Sequence, residues 1–240
     1  MPSFQRLTAV LAALSALLCG AFVALGEGPA KAQQARRSAR DVAALVQSFY
    51  DQRRAFEADF DQRQFTKIQN HTQEARGHVT FEKPGKMRWD YDEPNGQVFV
   101  SDGGRLTIYQ PPEEGESVGQ VIEREISEHQ LPLAFSFLTG TGRLDNDFTF
   151  RLLDAARQSF EGYVLELRPR EPTPHYDRVL FFVQLHEAQS GVAPVIHRVL
   201  IEDSAGNRNE FTFRNLRLPR DIPDARFRYR PPRNARRVQP

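Results

Sequence analysis

The sequence predicts a mainly β domain of antiparallel type, a sandwich, a barrel or a meander. Two observations carry this. From residue 56 onward, short segments alternate apolar and polar side chains with the period of a half-buried strand. Turn residues punctuate these segments about every eight to twelve positions, a cadence of hairpins and not of βαβ units. A third observation concerns the interior. Eighteen Phe against one Trp and two Met imply either a Phe-lined core or an apolar binding surface.

Taken in order, the chain opens with a secretory signal pattern. Arg6 supplies the positive end, residues 7–25 are almost continuously apolar, and Ala30-Lys31-Ala32 offers a cleavage site before Gln33. The rival reading is an uncleaved anchor, since the run is long enough to span a bilayer. Ser15, Gly20 and several alanines dilute it and favour cleavage after Ala32. The domain boundaries are therefore 1–32 signal peptide, 33–230 folded domain, and 231–240 a basic, Pro-rich, disordered tail. The single cysteine, Cys19, lies in the removed segment, so a mature chain has no disulfide or Cys-based zinc site.

A helix is predicted from Ser38 to Arg53, with Asp41 as its cap and Val42, Leu45, Val46 and Phe49 at helical spacing. The period then switches. Phe56, Ala58 and Phe60 alternate with Glu57, Asp59 and Asp61. Further strands are expected at Glu74–Glu82, Lys86–Tyr91, Gln97–Ser101, Arg105–Tyr109 and Gly119–Arg124. In the third of the eleven strands, Met87, Trp89 and Tyr91 fall on one face and Arg88 and Asp90 on the other. Residues 111–115, Pro-Pro-Glu-Glu-Gly, form a hairpin loop. The regularity breaks at residues 131–138, an apolar run with Pro132 placed for the first turn of a short helix. Its spacing alone favours a core helix over a lid. Strands resume at Asp147–Leu153, Tyr163–Arg168, Arg178–Leu185, Val195–Glu202 and Asn209–Leu216. Phe227 and Tyr229 alternate as a last edge strand before the Arg-rich tail.

Catalysis has no visible seat. The six histidines form no metal-ligand spacing, and no nucleophile elbow, P-loop or dinucleotide fingerprint is present. The reading is of a non-enzyme that needs no cofactor. A formal net charge of +1 argues against a nucleic-acid partner bound through a broad basic face.

Several motifs, in order, carry a resemblance. They are residues 56–62 (Phe-Glu-Ala-Asp-Phe-Asp-Gln), 77–81 (Gly-His-Val-Thr-Phe) and 83–91 (Lys-Pro-Gly-Lys-Met-Arg-Trp-Asp-Tyr). Pro94, 100–103 (Val-Ser-Asp-Gly), 106–109 (Leu-Thr-Ile-Tyr) and 137–140 (Phe-Leu-Thr-Gly) follow. The later echoes are 163–169, 203–207 and 211–213. Over about residues 40–230 the chain resembles the LolA family of periplasmic outer-membrane lipoprotein carriers. The resemblance implies an incomplete, half-open antiparallel barrel of about eleven strands with an α-helical lid over an apolar cavity. It also implies a periplasmic, monomeric chaperone whose partners are acylated lipoproteins, an inner-membrane lipoprotein-releasing ABC transporter and an outer-membrane acceptor.

Strand alternation then nominates Val79, Phe81, Met87, Trp89, Tyr91, Phe99, Leu106 and Ile108 for the cavity wall. The resemblance turns residues 131–138 from core into lid, with Leu133, Phe135, Phe137 and Leu138 as its apolar face. A basic residue, commonly Arg, precedes the motif proline in the family and helps hold the lid closed; Lys83 stands there. Met87 occupies a mouth position that is often aromatic. Same-fold alternatives are an outer-membrane acceptor, an envelope-stress sensor or a carrier of another lipid. A different class, an envelope-lipid enzyme, would need a polar triad that the sequence does not supply.

Overall fold

The structure is a computed structural model and describes residues 37–125, 137–188 and 191–238. The expected signal segment with Cys19, and Leu133 and Phe135 of the expected lid, lie outside the described residues.

Helix α1 spans Ala39–Asp51. Its cap is Ser38, one turn before the expected Asp41. Ser38 Oγ accepts from the Asp41 amide at 3.2 Å, and the Asp41 carboxylate accepts from the Ser38 amide at 2.9 Å. This reciprocal box satisfies two amides that helix geometry leaves orphaned. The bond from the Ser38 amide, above all, holds the Asp41 carboxyl below its ordinary range.

Twelve strands follow in one open sheet. They are β1 (Ala55–Thr66), β2 (His71–Glu82), β3 (Lys86–Tyr91), β4 (Val98–Asp102), β5 (Arg105–Gln110), β6 (Gln120–Glu125), β7 (Phe148–Leu153), β8 (Tyr163–Pro169), β9 (Arg178–Ala188), β10 (Gly191–Glu202), β11 (Arg208–Arg217) and β12 (Arg236–Val238). A short helix, α2 (Leu144–Asp147), precedes β7. The spatial order is β12-β6-β5-β4-β3-β2-β1-β11-β10-β9-β8-β7. The hairpins run antiparallel from each side towards β1, where β1 pairs with β11 in a closure between distant parts of the chain. Among the described strands β12 alone is parallel, laid along β6.

Here the C-terminal expectation is corrected. The strand foreseen at Phe227 and Tyr229 is absent; Asp224–Phe227 is a 3-10 turn, and the tail expected to be disordered supplies β12 instead. The cause is burial. Ile222 and Phe227 pack on the outer face of the sheet with Val100 and Ala55. Lys86 Nζ meets the Asp224 carboxylate at 2.6 Å, and Arg88 donates to the Arg226 carbonyl at 3.1 Å. These contacts strap residues 222–227 across β3 and β4, and the following segment reaches the β6 edge.

The inner face carries the main core. On its β7–β11 side, Val42, Val46, Phe49 and Tyr50 of α1 pack with Leu165, Val179, Phe181 and Val199. Phe137 joins them, its ring edge-on to Tyr50 at 5.6 Å and 5.4 Å from Phe181. Burial pushes the Tyr50 phenol up to about 12. Its oxygen accepts the Ile196 amide at 3.3 Å, so it stays a neutral hydrogen-bonding group in the core. The helix thus fills one half of the inner face, and the β3–β6 half is lined differently.

Candidate functional site

Cross-strand register builds the site row by row. One inner-face row reads Phe56, Phe81, Met87, Ser101, Leu106 and Arg124 from β1 to β6. The next reads Ala58, Val79, Trp89, Phe99, Ile108 and Ile122. A third brings Phe60 opposite Gly77, and Gly77 opposite Tyr91. Gly77 is required there. A Cβ would lie 2.0 Å from the Asp90 carbonyl oxygen and 3.0 Å from the Phe60 ring.

These rows wall a cavity of about 1310 Å³, larger than the roughly 300–1,000 Å³ of an ordinary small-molecule pocket. Met87, Trp89, Tyr91, Phe99, Leu106 and Ile108 line it. Trp89 meets Phe60 at 5.0 Å and Phe211 at 5.2 Å, edge-on. Tyr91 lies 5.8 Å from Phe99, and burial raises its phenol well above the ordinary value. Val79 and Phe81 are corrected. They share the predicted face but are 0% exposed and do not line the cavity. Phe81 stacks on Phe56 at 4.5 Å, so this pair forms the floor that the wall rests on.

The far ends of β1, β2 and β11 give the cavity a polar mouth. Gln62, Gln64, Gln73 and Asn209 line it, with Gln62 Nε2 donating to Asn209 Oδ1 at 2.8 Å. Charges at this rim are paired: Asp61 with Arg214 at 2.7 Å, and Glu74 with Arg63 at 3.2 Å. Two wall residues escape sequence reasoning, Phe211 and Arg124. Phe211 alternates with Phe213 as a strand residue should. Its place opposite Gln62 follows only once β11 is known to pair with β1.

Lys83 sits at the opposite end of the site, in the turn between β2 and β3. Its Nζ donates to the Tyr50 carbonyl at 2.8 Å and lies 3.6 Å from Asp51, both in the last turn of α1. Burial pulls the Lys83 ammonium below its ordinary value, against the opposing pull of Asp51. The lysine stem also fits against Gly140, where a Cβ would come within 3.0 Å of Lys83 Cδ. The Gly85 amide donates to the Thr139 carbonyl at 2.9 Å. Lys83 and its turn therefore tie α1 to the segment that leaves residues 126–136. Of the four expected lid residues, Phe137 and Leu138 are described. Both are buried, at 1% and 5% exposure, within the main core.

Among the described residues there is no group of three or more His, Cys, Asp or Glu able to hold a metal, and no helix is long and apolar enough to cross a membrane.

The fold is an open sheet, half filled by a helix and half lining a cavity with an aromatic and aliphatic wall and a polar mouth. The comparisons with known proteins supply the family. The model for the outer membrane lipoprotein carrier protein LolA matches residues 51–230, and the chain belongs to that family. The outer-membrane lipoprotein carrier protein of Chromohalobacter salexigens is 29% identical over 220 residues, 92% of this chain and 94% of that one. That of Nitrosospira multiformis is 28% identical over 187 residues, 78% and 83% of the two chains. A solved LolA superfamily protein from Nitrosomonas europaea aligns with 80% of this chain and 98% of its own at TM-score 0.45 and 18% identity.

Proposed function

We propose that this protein is a periplasmic carrier that takes the acyl chains of lipoproteins into the β3–β6 cavity and shields them from water during transfer to the outer membrane. The observation that supports this most is the cavity wall itself, with Met87, Trp89, Tyr91, Phe99, Leu106, Ile108 and Phe211 facing one space of about 1310 Å³. Transfer of each methylene from water into such a wall is worth about 0.8 kcal/mol. One chain of roughly sixteen carbons then gains on the order of 10 kcal/mol, comparable with its gain in a bilayer. That near-balance suits a carrier, which must both accept and release.

In this reading the cargo comes from an inner-membrane lipoprotein-releasing ABC transporter, which spends the ATP, and passes to an outer-membrane acceptor. The carrier acts as a monomer and performs no chemistry of its own. Phe137 and Leu138 are the anchored end of the expected lid, and Lys83 is the latch that ties this end to α1.

The test is release. Inner-membrane vesicles loaded with lipoprotein are incubated with the protein and ATP, then sedimented. A soluble 1:1 complex of carrier and lipoprotein is expected. Lipoprotein that stays in the pellet, while an established carrier of this family releases it, sinks the reading.

A further inference from the structure

Arg124 is out of place in its row. Across the sheet, its row partners Phe56, Phe81, Met87, Ser101 and Leu106 are each buried, at 0–7% exposure, and Arg124 ends the series beside Leu106. It lines the cavity. Its Nε is buried without a hydrogen-bond partner, and no ion pair of its guanidinium is present among the described residues. The contrast with the rim is plain, because Arg214 and Arg63 there each hold a carboxylate. The three other acids of the lining, Asp92, Glu93 and Glu113, are exposed, and Asp92 already faces Arg76 at 3.9 Å.

A guanidinium stays protonated at any pH near neutral and presents its donors in a fixed fork. Placing one against an apolar cavity with no counter-charge is unfavourable unless a ligand supplies the missing acceptor. We propose that Arg124 is the head-group contact of the cavity, and that the cavity prefers amphiphiles carrying an oxyanion, phosphate or carboxylate, at the end of the acyl chain. This rests on the acyl-binding reading and adds a polarity to it. The oxyanion meets Arg124 on β6 and the chain runs across β5 and β4 to Trp89 on β3. That is three strand spacings, about 14 Å, over Leu106, Ile108 and Phe99.

Trp89 is the only tryptophan in the sequence and lies in the wall, so its emission reports occupancy. The protein is titrated with two probes of equal chain length, 1-palmitoylglycerol and 1-palmitoylglycerol 3-phosphate, and with palmitate as the carboxylate arm. Wild-type protein should bind the phosphate form about ten-fold more tightly than the neutral form, equivalent to about 1.4 kcal/mol. In Arg124→Gln and Arg124→Leu that ratio should fall to about one while affinity for the neutral probe is kept. Arg170→Gln, which removes the same charge from an exposed site outside the cavity, should leave the ratio unchanged. Palmitate preferred over the phosphate probe would assign the site to a carboxylate; the reverse assigns it to a phosphate.

A ratio that is the same in wild type and in both Arg124 variants overturns the proposal and leaves the acyl-binding reading intact. Failure of all three probes to alter Trp89 emission overturns both.

Discussion

Ile108 and Phe81 show how neighbouring inner-face residues divide the labour. Ile108 lines the cavity half-buried, so Ile108→Glu places a charge where an acyl chain would lie without opening the core. Binding of an apolar fluorescent dye should fall by about ten-fold or more, with an unchanged circular dichroism spectrum. Phe81 is fully buried on Phe56 and Trp89. Phe81→Ala should cost about 3–5 kcal/mol of stability in urea denaturation, and its effect on dye binding should follow the fraction folded. Gly77→Ala forces a Cβ into the Asp90 carbonyl, and loss of about 3 kcal/mol or more is expected on the same assay. One residue also sets an acid limit. Asp102 accepts from the Arg105 amide at 2.8 Å and the Gly104 amide at 2.9 Å, and these bonds hold its carboxyl below the ordinary value of 3.8. A carboxylate whose folded pKa is depressed stabilises above its unfolded pKa, and that gain is lost as pH falls through the folded value. The stability advantage of wild type over Asp102→Ala should therefore be constant from about pH 5 to 8 and fade below about pH 4.

The elements were legible where their own residues decide them. The period-two runs from Phe56 to Leu216 mark eleven strands, and the structure has them at those places with ends shifted by a few residues. Within β3 the split of Met87, Trp89 and Tyr91 from Arg88 and Asp90 holds, with Arg88 and Asp90 paired at 2.7 Å on the outer face. What a strand cannot reveal alone is which of two covered faces looks into the cavity. In β6 both Val121 and Ile122 have neighbours, because residues 222–229 pack on the outside, with the ring of Tyr229 5.7 Å from that of Tyr109. Arg124 then reads as an ordinary outward charge. Nor can alternation separate wall from floor: Val79 and Phe81 share the face of Trp89 but lie beneath other rings. The helix cap is a similar case, since Ser38 and Asp41 form one reciprocal box and reading Asp41 alone as the cap catches only half of it. Ser38→Ala should cost about 1 kcal/mol, read as a lower thermal midpoint. At the other end of α1, Lys83→Met removes the bond to the Tyr50 carbonyl. Amide exchange in the last turn of α1 should accelerate, and the dye should leave the cavity faster than in wild type.

For the whole molecule, the outer-face strap matters as much as the cavity. Ile222 and Phe227 each contribute roughly 2 kcal/mol by burial on Val100 and Ala55. Beyond them, β12 covers the amides of β6 and adds Arg236 and Arg237, the latter in an ion pair with Glu123. Charged residues and a covering strand are the usual protection of a sheet edge against another chain. A chain ending at Arg220 should be less stable and should self-associate in sedimentation velocity, whereas Arg236→Ser with Arg237→Ser should leave the monomer intact. The parallel pairing of residues 120–122 with 236–238 also orders events in time. β6 precedes β12 by more than a hundred residues, so a chain that folds as it arrives carries an open template for strand addition until residues 236–238 follow. For this sheet the hazard of misassembly is greatest before residues 236–238 are in place, and their pairing with β6 ends it.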